Sequence, residues 1–239
     1  MLDQHPGGLA LTKRAIDYCA FPLGATVVDV GCGTGTTVEY LSNYCGVHAA
    51  GVDLSAPRLE QGRKRSAGLL FIQGTAERLP FADASVDGAI AECSLSVMQH
   101  TGTVVGEISR ILIDRGKLAV TDLYVKNPGD PSAACHLPVA DSKTSHMVGK
   151  DLLSMLEKNG FQIIVWEDQS IFLQEFVARY IMEHGSIEQL WQCIPGNNVR
   201  KNSGKAINRA KLGYFLLVAE KRKTGGRNKD GGYYMPTLR

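Results

Sequence analysis

Hydrophobic and polar positions along the chain alternate between two rhythms. Short apolar runs rich in β-branched residues read as strands: "TVVDVG" at 26–31, "HAAGVDLS" at 48–55, "LLFIQGTA" at 69–76, "SVDGAIAECS" at 85–94 and "GKLAVTDLY" at 116–124. Between them, apolar residues recur three and four apart in "TTVEYLSNYC" at 36–45, "APRLEQGRKRSA" at 56–67 and "TVVGEISRIL" at 103–112, which predicts helices. An earlier helix around 9–20 sets Leu9, Ile16 and Ala20 among charges at helical spacing, and "PLG" at 22–24 stops it. Strands alternating with helices in this way are βαβ units. They predict a doubly wound α/β fold with a mostly parallel sheet covered on both faces.

Beyond Tyr124 the rhythm lapses. The stretch "VKNPGDPSAACHLPVADSKTSH" at 125–146 has no clear period and reads as a loop over the carboxyl edge of the sheet, with some helix. The pattern then resumes with a capped amphipathic helix at 149–160, a strand at 161–168, a helical stretch at 170–191 and a last strand at 213–222. Seven strands in all predict a single domain over 1–221, with residues 1–21 as an N-terminal helical cap. The end, 222–239, is basic, has no hydrophobic period and is expected to be disordered.

Composition narrows the picture. A chain of 239 residues, 44% hydrophobic and 21% charged, suits one sizeable core. No apolar run approaches the roughly 20 residues that a membrane span needs, and the start lacks the pattern of a secretory signal, so a cytoplasmic address is the expectation. The six cysteines, at 19, 32, 45, 93, 135 and 193, show neither a C-x-x-C pair nor zinc-finger spacing, so no metal site is expected. Six of the 26 Lys and Arg but one of the 24 Asp and Glu lie in 221–239, leaving 20 basic and 23 acidic residues elsewhere. A body of that sign shows no electrostatic footprint for nucleic acid.

The first strand ends in "VVDVGCGTGTT", residues 27–37, with glycines at 31, 33 and 35. A glycine turn between strand and helix lets backbone approach a ligand closely, and the helix start adds unpaired N–H donors. A dinucleotide fingerprint places its third glycine where this chain has Thr36, and Asp29 would set negative charge beside a pyrophosphate. An acid there suits a ligand with a cationic group. Asp53 follows 22 residues after Gly31, at the end of the second strand, where a carboxylate can accept ribose hydroxyls or cap the next helix.

Taken with "GVDLS" and "GTAERLPFADASVDGAI" at 74–90, "VVDVGCGTG" resembles the class I S-adenosylmethionine-dependent methyltransferases. The resemblance covers residues 20–125 and implies a Rossmann-like methyltransferase fold, with S-adenosylmethionine as donor and S-adenosylhomocysteine as product. It places the methionine part against Gly31, Gly33 and Gly35, with Cys32 inside the turn as filler. Asp29 would serve the loop or the donor's amino group, Asp53 the ribose, and Leu54 the adenine face. Ala76 and Glu77 would line the adenine edge, with Thr75 where the family often has Asp, and Glu92 would border the pocket on the acceptor side.

The acceptor is expected to be a small molecule, met by loops at the carboxyl edge: "HPGG" at 5–8, "ECSLSVMQH" at 92–100 and "YVKNPGDPSAACHLP" at 124–138. His5, His100, His136 and His146 are possible bases. Cys93 and Cys135 also match, in part, positions at which arsenite methyltransferases hold a soft metalloid, which makes Glu92, Cys93 and Cys135 the catalytic candidates. The alternatives are a thiol-dependent metalloid methyltransferase and a protein that binds the donor without catalysis.

Overall fold

Val27, Val28 and Val30 are fully buried, and their β-branched side chains fit a strand covered on both faces. The computed structural model describes residues 5–126, 149–186 and 212–223. Its strands are β1 (Thr26–Val30), β2 (His48–Asp53), β3 (Leu70–Gln73), β4 (Val86–Glu92), β5 (Leu112–Val125), β6 (Phe161–Asp168) and β7 (Leu212–Lys221). The helices are α1 (Gly8–Cys19), α2 (Thr36–Tyr44), α3 (Ala56–Arg65), α4 (Thr101–Ile111), α5 (Gly149–Lys158) and α6 (Ser170–His184), with a short 3₁₀ turn at Leu95–Val97. The strands form one seven-stranded sheet in the order β3-β2-β1-β4-β5-β7-β6. Strands β1 to β5 pair in parallel, and β7 runs antiparallel between β5 and β6.

Successive residues of a strand point to opposite faces, and the core divides accordingly. On one face Val28, Val30, Ala89, Val120, Phe215 and Leu217 pack with Val104, Val105 and Ile108 of α4 and Leu152 and Leu156 of α5. On the other, Val27, Ile90, Ala119, Tyr214, Leu216 and Val218 pack with Leu11, Ala15, Ile16 and Cys19 of α1 and Leu41 of α2. Helix α1 therefore lies across β5 and β7, and Leu11, 1% exposed, contributes about 2 kcal/mol of burial to that seat.

Element by element the predicted order holds, with three differences. The buried stripe of α1 is Leu11, Thr12, Ala15, Ile16 and Cys19, whereas Leu9 is 38% exposed and Ala20 lies beyond the helix. Packing on the sheet selects the i, i+4, i+5, i+8 face, and it includes a threonine that hydropathy alone overlooks. Strand β5 starts at Leu112, four residues before the predicted position. It follows directly on α4 and absorbs an irregularity where Arg115 takes a left-handed φ of 65°. Helix α6 ends at His184, capped by Gly185 at φ 82°, whose N–H reaches the Ile181 carbonyl. The predicted loop at 127–146, the helical residues 187–191 and the tail from 224 lie outside the described residues, as do Cys135, His136, His146 and Cys193. Among the described residues no helix is long and apolar enough to cross a membrane.

Candidate active site

The sheet order reverses at β1, with β2 leading one way and β4 the other, and crevices at such reversals hold ligands. The turn after β1 fills this place. Its three glycines take left-handed φ values of 78°, 56° and 76° at Gly31, Gly33 and Gly35. They serve different ends. A Cβ at Gly31 would stand 2.6 Å from the Ser94 Cβ, and one at Gly35 would stand 2.2 Å from the Phe71 ring, so those two admit close packing of the fold itself. A Cβ at Gly33 would meet nothing nearer than Arg58 Nη1 at 3.9 Å, so this glycine leaves bare backbone facing open space.

The turn is held by main chain. Gly31 and Cys32 N–H groups donate to the Val52 carbonyl at 2.8 and 3.1 Å, and Gly35 N–H donates to the Cys32 carbonyl at 2.8 Å. Asp53 completes it: Oδ2 accepts from Gly33 N–H and Oδ1 from Ser55 N–H, each at 2.8 Å. Asp53 thus links the glycine turn to the start of α3. Each of its oxygens keeps a lone pair for a further donor. The Cys32 side chain turns inward, 7% exposed, beside Val38, Leu59 and Phe71, and burial pushes its thiol pKa up. Its side chain packs between α2, α3 and β3.

Two more acids lie at the crevice. Asp29 is 3% exposed within β1, and burial, followed by the charges of Glu92 and Asp53, holds its pKa well above the carboxylate range. Glu92, at the end of β4, is held by side chains from distant elements. Thr12 of α1 donates to Oε1 at 2.9 Å and Thr37 of α2 donates to Oε2 at 2.6 Å, while His5 Nε2 stands 3.7 Å from Oε2. Glu92 therefore faces the N-terminal cap, and Thr12 and Thr37 are partners of it that sequence reasoning missed. Thr37 was findable as the second residue of the helix behind the glycines. Nothing local in the sequence marks Thr12.

Cys93 follows Glu92 with a left-handed φ of 48°, and its Sγ lies 3.1 Å from the Tyr214 hydroxyl, which also bonds Thr121 Oγ1 at 3.2 Å. Burial, then the Asp122 charge, pushes the Cys93 thiol well up, and the Tyr214 phenol is raised chiefly by burial as well. These surroundings disfavour the Cys93 thiolate, the form in which cysteine ligates a metalloid. Among the described residues no group of three or more His, Cys, Asp or Glu is placed to hold a metal ion. Of the predicted adenine neighbours, Leu54 is 68% exposed at the rim, Thr75 is exposed, Glu77 is half-buried, and Ala76 has its side chain in the core. His100 is exposed ahead of α4.

A doubly wound sheet in this order, with a bare-backbone turn closed by an acid at the end of the second strand, defines a Rossmann-like site for a nucleoside-bearing donor. Comparison with known proteins makes this specific. The methyltransferase domain family matches residues 28–120. O-methyltransferase rstn1 of Aspergillus nomiae is 30% identical over 66% of this chain and 73% of its own length. O-methyltransferase resE of Aspergillus sclerotiorum is 32% identical over 61% of this chain, which spans only 58% of that relative. Among solved structures, the [4+2]-cyclase SpnF superposes with a TM-score of 0.69 at 24% identity, over 90% of this chain and 81% of that one, a likeness of fold. The chain belongs to the class I S-adenosylmethionine-dependent methyltransferases.

Proposed function

We propose that the protein transfers the methyl group of S-adenosylmethionine to a hydroxyl of a small organic acceptor. The observation that carries this reading is the Gly33–Asp53 arrangement: open backbone at Gly33, and a carboxylate fixed beside it by two amides with lone pairs to spare. Such a carboxylate suits the vicinal hydroxyls of a ribose. Leu54, apolar and 68% exposed beside it, offers a surface for the adenine, with Thr75 and Glu77 at the base's edge. Asp29 suits the donor's cationic end, because an added cation stabilises its ionised form. The choice of a hydroxyl acceptor draws on rstn1 and resE, both O-methyltransferases.

A sulfonium donor brings its own activation, so the protein's work is to align, to exclude water and to handle the acceptor's proton. The turn would hold the donor end through backbone, and the cap packs against Glu92 from the α1 side. A metalloid acceptor would need Cys93 as thiolate, which its surroundings oppose. Because a cyclase shares the fold, the decisive assay follows methyl transfer and not donor binding alone. Incubation with isotopically labelled S-adenosylmethionine and a panel of phenols, alcohols, amines and arsenite should label phenols or alcohols. Label confined to amines or carbon would overturn the hydroxyl assignment, and label on arsenite would restore the thiol-dependent alternative. Donor binding without transfer to any acceptor would favour a binding-only protein.

A further inference from the structure

The "HPGG" segment at the start of the cap is unused by the donor cradle, yet His5 joins Thr12 in bringing the cap onto Glu92. Its side chain is 14% exposed, with Nε2 3.7 Å from Glu92 Oε2 and 3.5 Å from Thr12 Oγ1, while Nδ1 lies 3.2 Å from the Pro6 carbonyl. The groups around the ring are acceptors. A carbonyl and a carboxylate only accept, and the Thr12 hydroxyl directs its one proton at Glu92, 2.9 Å away. Both ring nitrogens therefore face acceptors, and the Glu92 carboxylate lies within ion-pair distance of Nε2. Glu92 in turn accepts from Thr37, two residues past Gly35.

One chain of contacts therefore runs from cap to glycine turn: His5 and Thr12, then Glu92, then Thr37. We propose that His5 is a positioning residue for the methyl donor, acting through Glu92 to couple the seating of the cap to the start of α2 behind the glycine turn. The coupling rests on the donor assignment above. By linkage, whatever seats the cap on the donor-competent turn is itself strengthened when the donor binds.

Calorimetry with S-adenosylhomocysteine on the full chain, joined to amide hydrogen exchange along 8–19, tests this. In the wild type, ligand should slow exchange across α1. His5→Ala should bind about tenfold more weakly and lose that slowing. His5→Lys, which sets an N–H donor opposite Glu92, should recover most of both. A merely structural contact would lower stability without changing the ligand's effect on α1. The proposal is overturned if His5→Ala binds as the wild type does, or if ligand slows exchange across α1 equally in both. Absence of binding in the wild type would instead overturn the donor assignment, and this coupling with it.

Discussion

Asp53 and Glu92 end the two strands that flank β1, and they are held in opposite ways. The partners of Asp53 are backbone amides 20 and 2 residues away. Those of Glu92 are hydroxyls 80 and 55 residues away in sequence, on two helices. Amides fixed in a turn cannot reorient when their acceptor is lost, whereas a threonine hydroxyl rotates to the next one, and Thr12 already has the Gly8 carbonyl at 3.4 Å. The proposed donor side is thus built of rigid main chain, and the cap side of side chains that can exchange partners. That suits a fixed cradle for the proposed donor.

The largest effect should come from the glycines that make the cradle rigid. Gly35→Ala sets a Cβ at left-handed φ 76° and 2.2 Å from the Phe71 ring, so conformational strain and overpacking combine to about 3 kcal/mol of lost stability. Gly33→Ala, with open space before it, should cost about 1 kcal/mol, yet weaken S-adenosylhomocysteine binding more than its stability loss implies. Denaturant unfolding and calorimetry on both variants test the division between fold-packing and ligand-facing glycines. Equal stability losses would erase it.

Next come the two acids. Asp53→Ala strands the Gly33 and Ser55 amides and should cost about 2 kcal/mol of stability, with donor affinity down at least tenfold. Glu92→Ala should cost about 1 kcal/mol, because its hydroxyl partners can turn elsewhere. A Glu92 variant less stable than the Asp53 variant would reverse the contrast between rigid and exchangeable partners.

The same contrast explains what could be read from the chain. The donor side is legible because main-chain chemistry leaves local marks: glycines where φ must be positive, and an acid at a fixed spacing after them. Strands and helices were legible for a similar reason, since burial imposes periods of two and 3.6. The cap side depends on where α1 crosses the sheet. That crossing brings His5 and Thr12 to Glu92, and the antiparallel insertion of β7 brings Tyr214 to Cys93. No spacing in the sequence encodes either meeting. Thr12 also sits on a stripe that hydropathy would assign wholly to apolar residues.

Asp29 allows a finer test. Its folded pKa is raised, so below the ordinary carboxylate range it is protonated in both folded and unfolded chains and contributes nothing. As pH rises past that range the unfolded carboxylate ionises while the folded one resists, and stability falls until the raised pKa is passed. Asp29→Asn removes this loss. The variant without ligand should melt at a higher temperature than the wild type at pH 8, and at the same temperature at pH 3.5. It should also lose affinity for S-adenosylmethionine more than for S-adenosylhomocysteine, because only the former carries the sulfonium charge. Equal melting at pH 8 would mean that Asp29 is already compensated in the folded chain.

The smallest effect belongs to Cys93. Serine accepts the same backbone and offers a hydroxyl to Tyr214, so Cys93→Ser should leave stability within about 0.5 kcal/mol and methyl transfer within about twofold. In the folded wild type, the raised thiol pKa predicts that iodoacetamide at pH 8 alkylates Cys93 far more slowly than it does after unfolding. Rapid alkylation of the folded protein at Cys93 would show a thiolate at the edge of the acceptor side. Glu92 would then be the neighbour of a reactive sulfur, and the cap would be closing over a nucleophile instead of over the donor's cradle.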